Sequence, residues 1–308
     1  MGSGLQALAE KSTDVLKPLG QTDVLLYYAL LAPSLKNFLK GKMLAAKNWM
    51  PAGIPFLIKR GSKEPPIFVE DLPQAVDLNF LELRKSHLNE VEERLTPLQK
   101  KVWNYFLPRK LSDFFYATNN ETAGGFLDRV FFDLDRGKNV TAEKAQEVAR
   151  EFAEIIGGSS ELAQLLGYKP KIFSSWTGSS FHVYVMLKKP VPNSVYSSSF
   201  KCESKKKEPL TLAEKWVEEL KKRVDVKVFG GHEKIEDAVV IDPSQTPSGK
   251  LARVPLGALH MKSAKEVDGV SVPLELKMLA EKGLVKNLRA YTPKKVLDEL
   301  KELGKRLP

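Results

Sequence analysis

The sequence predicts an α+β fold. Short apolar runs of strand length alternate with longer stretches in which apolar residues recur at helical spacing. Two of the runs, 171–176 and 181–187, are joined by Thr177-Gly178-Ser179-Ser180, the pattern of an antiparallel hairpin. Helix-start signals stand at Thr141, at Thr211 with Glu214 as a capping box, and at Thr292 with Pro293 in the first turn.

Taken in order, residues 6–40 read as helical, with Leu25, Leu26, Leu30 and Leu31 on one broad apolar face and Pro33 ending or kinking the helix. Apolar segments at 43–50 and 54–58 flank the turn signal Pro51-Ala52-Gly53. The proline-bearing stretch 63–75 reads as an extended connector, and 91–105 as a helix. The run 126–134 is a strand ending in Asp133-Leu134-Asp135, after which Arg136-Gly137-Lys138 turns the chain. A helix capped by Thr141 places Ala145, Val148, Phe152, Ile155 and Ile156 on one face, and Gly157-Gly158 ends it. Residues 191–209 read as a polar loop, 211–224 as a helix and 238–241 as a strand that delivers Asp242. Helices over 273–281 and 293–304 close the chain, and no repeat of 20–50 residues is visible.

At 308 residues the chain has the length of about two modules. We place an N-terminal module with basic segments at 1–110 and the core at 111–308, the whole forming one compact unit. Hydrophobic residues are 43% and charged residues 28%, ordinary for a globular protein. No run approaches the roughly 18 apolar residues of a membrane span, and the N-terminus lacks a signal-peptide pattern. The expectation is therefore an intracellular protein without a membrane partner. Cys202 is the only cysteine, which excludes an intrachain disulfide and a cysteine-rich zinc site. The net charge of +10 favours a polyanion such as nucleic acid. Lys40, Lys42 and Lys59, with Phe56 interleaved, suit a nucleic-acid track in which phosphates pair and bases stack. A solvated basic face has the same composition.

Asp133 and Asp135 are two apart at a strand end, so period-2 geometry puts both carboxylates on one face. Carboxylates so close repel, and a divalent cation keeps both ionised. Asp242 ends a second apolar strand. Three strand-end carboxylates suit two Mg²⁺ or Mn²⁺ ions and in-line nucleotidyl transfer. Strand-end aspartates are also ordinary turn formers, and phosphatases of the haloacid-dehalogenase type use an Asp-x-Asp as well. The small residues Ser179 and Ser180 let backbone amides approach a phosphate, and His182 follows at the start of the next strand. Lys250 offers a point charge and Arg253 a fork for phosphate oxygens.

The ordered set Asp133-Leu134-Asp135, then Thr177-Gly178-Ser179-Ser180-Phe181-His182, then Val240-Ile241-Asp242 leading to Arg253-Val254-Pro255 and Leu259-His260, resembles the archaeo-eukaryotic primase superfamily. The likeness is longest to the polymerase domain of bacterial ligase D and stand-alone archaeal end-joining polymerases. It includes Asp23-Val24-Leu25-Leu26-Tyr27-Tyr28, Leu39-Lys40-Gly41-Lys42 and Tyr291-Thr292-Pro293. The third motif is more similar to the primase small subunit.

The resemblance implies an RRM-like catalytic sheet with a second, smaller α/β module. It implies a template-dependent primase-polymerase that adds NTPs or dNTPs to a 3′-hydroxyl on primer-template, gapped or broken DNA, in repair, end joining or priming. A ligase or end-joining protein would be its partner, and its place the nucleoid. Asp133, Asp135 and Asp242 would be catalytic and hold two Mg²⁺ or Mn²⁺ ions; Ser179, Ser180, His182, Lys250, Arg253 and His260 would bind the nucleotide. De novo priming, a metal-dependent phosphatase and a non-catalytic nucleic-acid binder are the other readings. The chain departs from the pattern at Thr177 and Ser180 in the turn, and at Gln21, where a lysine is expected. The single cysteine also precludes the zinc knuckle usual in primase small subunits.

Overall fold

The computed structural model describes residues 23–50, 57–59, 65–120, 125–203, 208–264 and 266–308. In chain order the elements begin with α1 (Val24–Leu35), β1 (Leu44–Asn48), β2 (Leu57–Lys59), α2 (Asp71–Ala75), α3 (Leu78–Leu83), α4 (Leu88–Val91), α5 (Pro97–Tyr105) and β3 (Ser112–Ala117). Next come β4 (Phe126–Arg136), α6 (Ala142–Gly158), α7 (Ser160–Leu166), β5 (Lys171–Trp176), β6 (Phe181–Pro192), α8 (Leu212–Leu220), β7 (Lys227–Gly230) and β8 (Ala238–Asp242). The chain closes with β9 (Leu251–Arg253), β10 (Leu259–Ser263), β11 (Glu266–Val270), β12 (Val272–Leu274), α9 (Leu284–Arg289), α10 (Pro293–Asp298) and α11 (Leu300–Lys305).

The chain divides into two compact units. The first is Met1–Tyr116, Arg253–Ser271 and Tyr291–Lys305; the second is Ala117–Ala252, Val272–Ala290 and Arg306–Pro308. In the first unit α1 is buried on nearly every side, from Val24 through Ala29 and again at Leu31, Ala32 and Leu35. Asp23 caps it by accepting from Leu25 N at 3.0 Å. The same carboxylate takes Arg84 Nε at 2.5 Å. Arg84 is 1% exposed and donates Nη2 to Phe106 O at 2.7 Å, so the charge is paired where water cannot reach it. Pro33 stands inside α1 and neither ends it nor sits at its boundary. β1 pairs antiparallel with both β2 and β3.

The second unit is built on a six-stranded sheet of order β12-β5-β6-β4-β8-β7, antiparallel except between β7 and β8. Within it β4-α6-β5-β6-α8-β8 is a β-α-β-β-α-β succession with its strands ordered β5-β6-β4-β8, the split β-α-β topology of RRM-like sheets. α6 starts at Thr141, whose hydroxyl accepts from Lys144 N, and it buries Ala145, Val148, Phe152, Ile155 and Ile156. Phe132 meets Phe152 at 5.1 Å and Trp216 of α8 at 6.2 Å between ring centroids. Truncating an aromatic at such a junction costs roughly 3–5 kcal/mol.

Several boundaries differ from expectation for physical reasons. Residues 71–75 form α2 within the expected connector, because Pro73 stands in its first turn, where no amide is needed. The stretch 91–105 is broken at Leu95, and Thr96 with Gln99 caps α5 anew. Gly157 and Gly158 remain inside α6, and Ser159 ends it by capping α7. Residues 272–274 are strand β12, paired to β5, rather than helix. The final helix is two, α10 and α11. The beginning of the expected 6–40 helix and the 51–53 turn lie outside the described residues.

Candidate active site

Alternate residues of β4 take opposite faces of the sheet. Phe132 and Leu134 serve the helical side, and Phe131, Asp133 and Asp135 the other. The register sets His182 of β6 directly opposite Asp133 on one side and Asp242 of β8 directly opposite it on the other. One row across the sheet therefore reads Asp242, Asp133, His182, with Asp135 one step along β4, opposite Val240. The three acidic residues predicted for the site thus share one face.

Burial raises the Asp135 carboxyl above its ordinary pKa; Lys234 opposes this, with Nζ 3.9 Å away, and Asp242 adds to it. Asp242 is 6% exposed and its Oδ1 accepts from Ser244 N at 2.7 Å. His182 Nε2 lies 3.5 Å from Asp133 Oδ1, and its Nδ1 lies 3.3 Å from the Tyr184 hydroxyl.

The turn before β6 is set by Gly178, at φ +105°, a conformation that favours glycine. Thr177 Oγ1 accepts from Ser179 N at 3.3 Å and Ser180 N at 2.9 Å, so its hydroxyl closes the turn. Ser180 is buried and its hydroxyl donates to Leu134 O at 2.5 Å, tying the turn to β4. Arg136 adds a second tie, from Nε to Ser179 O at 3.2 Å and from Nη1 to Val140 O at 2.5 Å. Gly137 is required next to it: a Cβ there would stand 2.2 Å from the carbonyls of Ile235 and Glu236. Ser179 is half-buried and Lys250 is exposed in the loop before β9.

Arg253 and His260 belong to the first unit. There Arg253 donates to Leu259 O, lies 3.5 Å from Asp113 and sits over the Phe115 ring at 5.1 Å. Asp113 is 1% exposed; burial raises its pKa, against the pull of Arg253 and Lys47, whose Nζ is 3.9 Å away. His260 is pushed down to about 4 by burial and by Arg253, while Asp268 at 3.4 Å opposes this. Lys40 is exposed, whereas Lys42 is 2% exposed, so its side chain is enclosed rather than presented to a phosphate. Lys59 ends β2, and Phe56 lies outside the described residues.

Sequence reasoning passed over Asn119 and Thr246. Thr246 Oγ1 both accepts from Phe131 N and donates to Phe131 O, each at 2.9 Å. Asn119 Nδ2 donates to Arg129 O at 2.8 Å and to Thr246 O at 2.6 Å. Together they pin the segment after Asp242 onto β4. Nothing local marks these residues, since the partners are brought together by the sheet alone.

The acidic donor set is all oxygen, the kind that suits Mg²⁺ or Mn²⁺. Among the described residues no three His, Cys, Asp or Glu side chains gather as a metal-binding group.

No protein-family model matches the chain, and no curated protein matches its sequence. The fold does have a solved counterpart. The structure is similar to the polymerase domain of Mycobacterium tuberculosis ligase D, solved in complex with DNA, with a TM-score of 0.53 and 18% identity. The match covers 94% of this chain and 93% of that one. Among the described residues no helix is long and apolar enough to cross a membrane.

Proposed function

We propose that the chain is a template-dependent nucleotidyltransferase of the archaeo-eukaryotic primase type. In this reading it adds NTPs or dNTPs to a 3′-hydroxyl on primed, gapped or broken DNA and releases pyrophosphate. The observation that carries the reading is the set of Asp133, Asp135 and Asp242 on one face of an RRM-like sheet, within a fold similar to a DNA polymerase domain.

Asp133, Asp135 and Asp242 would hold Mg²⁺ or Mn²⁺, which would supply acidification of the attacking hydroxyl and neutralisation of the leaving pyrophosphate. The carboxylates fix where that charge sits; the amides of Thr177, Ser179 and Ser180 are spent closing their turn, and the half-buried Ser179 offers its hydroxyl to phosphate oxygens. The Ser180 hydroxyl and Arg136 keep that turn in register with the acidic strand. Lys250 adds positive charge from an exposed loop. The assignment of Arg253 and His260 to the triphosphate rests on the sequence resemblance alone, as do a ligase or end-joining partner and a place at the nucleoid.

The test is primer extension with Mg²⁺ or Mn²⁺, on both nucleotide pools, with and without primer. Incorporation that needs a template and stops in Asp133→Ala is the expected result. Products without primer would identify a de novo primase. Release of inorganic phosphate without a template would identify a phosphatase, and DNA binding with no incorporation a non-catalytic binder.

A further inference from the structure

We infer that Tyr184 is a positioning residue for the acidic site, acting through His182 on Asp133. The inference rests on the reading of Asp133 as a metal ligand. Three side chains make a chain along one face of the sheet, since Asp133 is opposite His182 and Phe131 is opposite Tyr184. The Tyr184 hydroxyl lies 3.3 Å from His182 Nδ1, and His182 Nε2 lies 3.5 Å from Asp133 Oδ1.

The hydrogen-bonding capacities fix the direction. An ionised carboxylate only accepts, so in the proposed relay His182 Nε2, 3.5 Å from Asp133 Oδ1, carries the proton that faces it. In the neutral ring Nδ1 is then the acceptor, and the Tyr184 hydroxyl donates to it. Tyr184 thereby selects the tautomer that lets His182 donate to the carboxylate. This is the relay by which outer-shell groups orient metal-ligating carboxylates and imidazoles.

The surroundings leave the relay little freedom. Tyr184 is fully buried, its ring 5.2 Å from those of both Phe131 and Phe173. The His182 ring stands edge-on to Phe131 at 4.7 Å and is 5% exposed as a residue. Ser174 Oγ donates to His182 O at 2.9 Å and fixes the backbone beneath the ring. A hydroxyl placed inside this aromatic packing is a costly choice unless its hydrogen bond is used. Phenylalanine would fill the same space.

Tyr184→Phe therefore tests the inference without disturbing the packing. Mn²⁺ uptake is measured by the loss of the free-ion electron paramagnetic resonance signal, and nucleotide KM and kcat by incorporation at several Mn²⁺ concentrations. Removing an outer-shell partner typically costs about 10- to 100-fold in metal affinity. We expect a drop of about tenfold in Mn²⁺ affinity. Incorporation should be weak at low Mn²⁺ and largely recovered at high Mn²⁺, with nucleotide KM little changed. In a His182→Gln background, whose amide can donate to Asp133 without tyrosine, the Tyr184→Phe change should have no further effect. Unaltered Mn²⁺ affinity in Tyr184→Phe, or an equal loss in the His182→Gln background, overturns the inference and leaves the metal reading standing. Wild-type protein that takes up no Mn²⁺, or Asp133→Ala that takes it up normally, overturns the metal reading itself.

Discussion

Asp242→Asn should make the metal-free protein more stable while abolishing nucleotide incorporation. Asp242 and Asp133 are directly opposed on adjacent antiparallel strands, and like charges in that relation destabilise a sheet. At the roughly 5 Å separation of such side chains, two charges repel by about 3 kcal/mol at an effective dielectric of 20 and about 1 kcal/mol in water. The substitution keeps the shape and leaves an Oδ1 that still accepts from Ser244 N. Exchanging a charged acceptor for a neutral one there gives back roughly 1 kcal/mol. The net gain is about 1 kcal/mol, or about 2–3 °C in Tm for a chain of this size. Thermal melts without metal, and with Mn²⁺ added, supply the assay. Mn²⁺ should raise the wild-type Tm and have much less effect on the variant, because an ion that binds only the folded protein stabilises it. A variant less stable than wild type in EDTA would refute the opposed-carboxylate argument. Normal incorporation would remove Asp242 from the site.

Other outcomes follow from the same residues. His260 has a folded pKa near 4 against an ordinary 6.5, so the folded state binds fewer protons than the unfolded state between those values. Its contribution to stability should be full above about pH 6.5 and lost as pH falls toward 4; urea midpoints at pH 7 and pH 5 should differ less in His260→Gln than in wild type. Gly137→Ala should unfold at markedly lower temperature, since its Cβ would meet two backbone carbonyls at 2.2 Å; a melt within 1–2 °C of wild type, roughly the scatter of surface changes, would contradict that contact. DNA binding should weaken steeply with salt through counterion release, and Lys40→Glu should weaken it for all sequences alike, as electrophoretic shifts at several salt concentrations can show. Arg253→Ala should raise the nucleotide KM by roughly tenfold or more, the value of one charge-assisted contact, with primer–template affinity within about threefold; unchanged nucleotide kinetics would take Arg253 out of the proposed site.

How much of this was legible depends on the range of the interaction involved. Cap residues act within three or four positions, so the starts of α6, α8 and α10 could be read at Thr141, Thr211 and Thr292. Breaks inside a helical pattern were harder. Val91–Tyr105 carries helical periodicity throughout, and only the pairing of Thr96 with Gln99 restarts it. Residues 272–274 contain Pro273, which reads as a helix start; they are a strand because the edge of β5 is there to pair with them. That partner is a hundred residues away, beyond the reach of any local pattern.

The acidic site was legible because its logic is periodic. Two aspartates two apart on a strand share a face whatever the rest of the chain does, and a third at another strand end needs only the correct neighbour. The histidine was a different case. Its place in the second motif suggested a hand extended to a phosphate, and nothing in the order of residues said which way the ring would lean. The register sets His182 beside Asp133, with Nδ1 3.3 Å from the Tyr184 hydroxyl. A side chain with donors and acceptors on two edges takes its role from what lies on both, and strand pairing supplies those neighbours. The same holds for Thr246 and Asn119, whose bonds to β4 span sequence distances that no motif covers. In this sheet the strand that carries the acids is legible from its own residues. What orients the acids comes from the strands on either side.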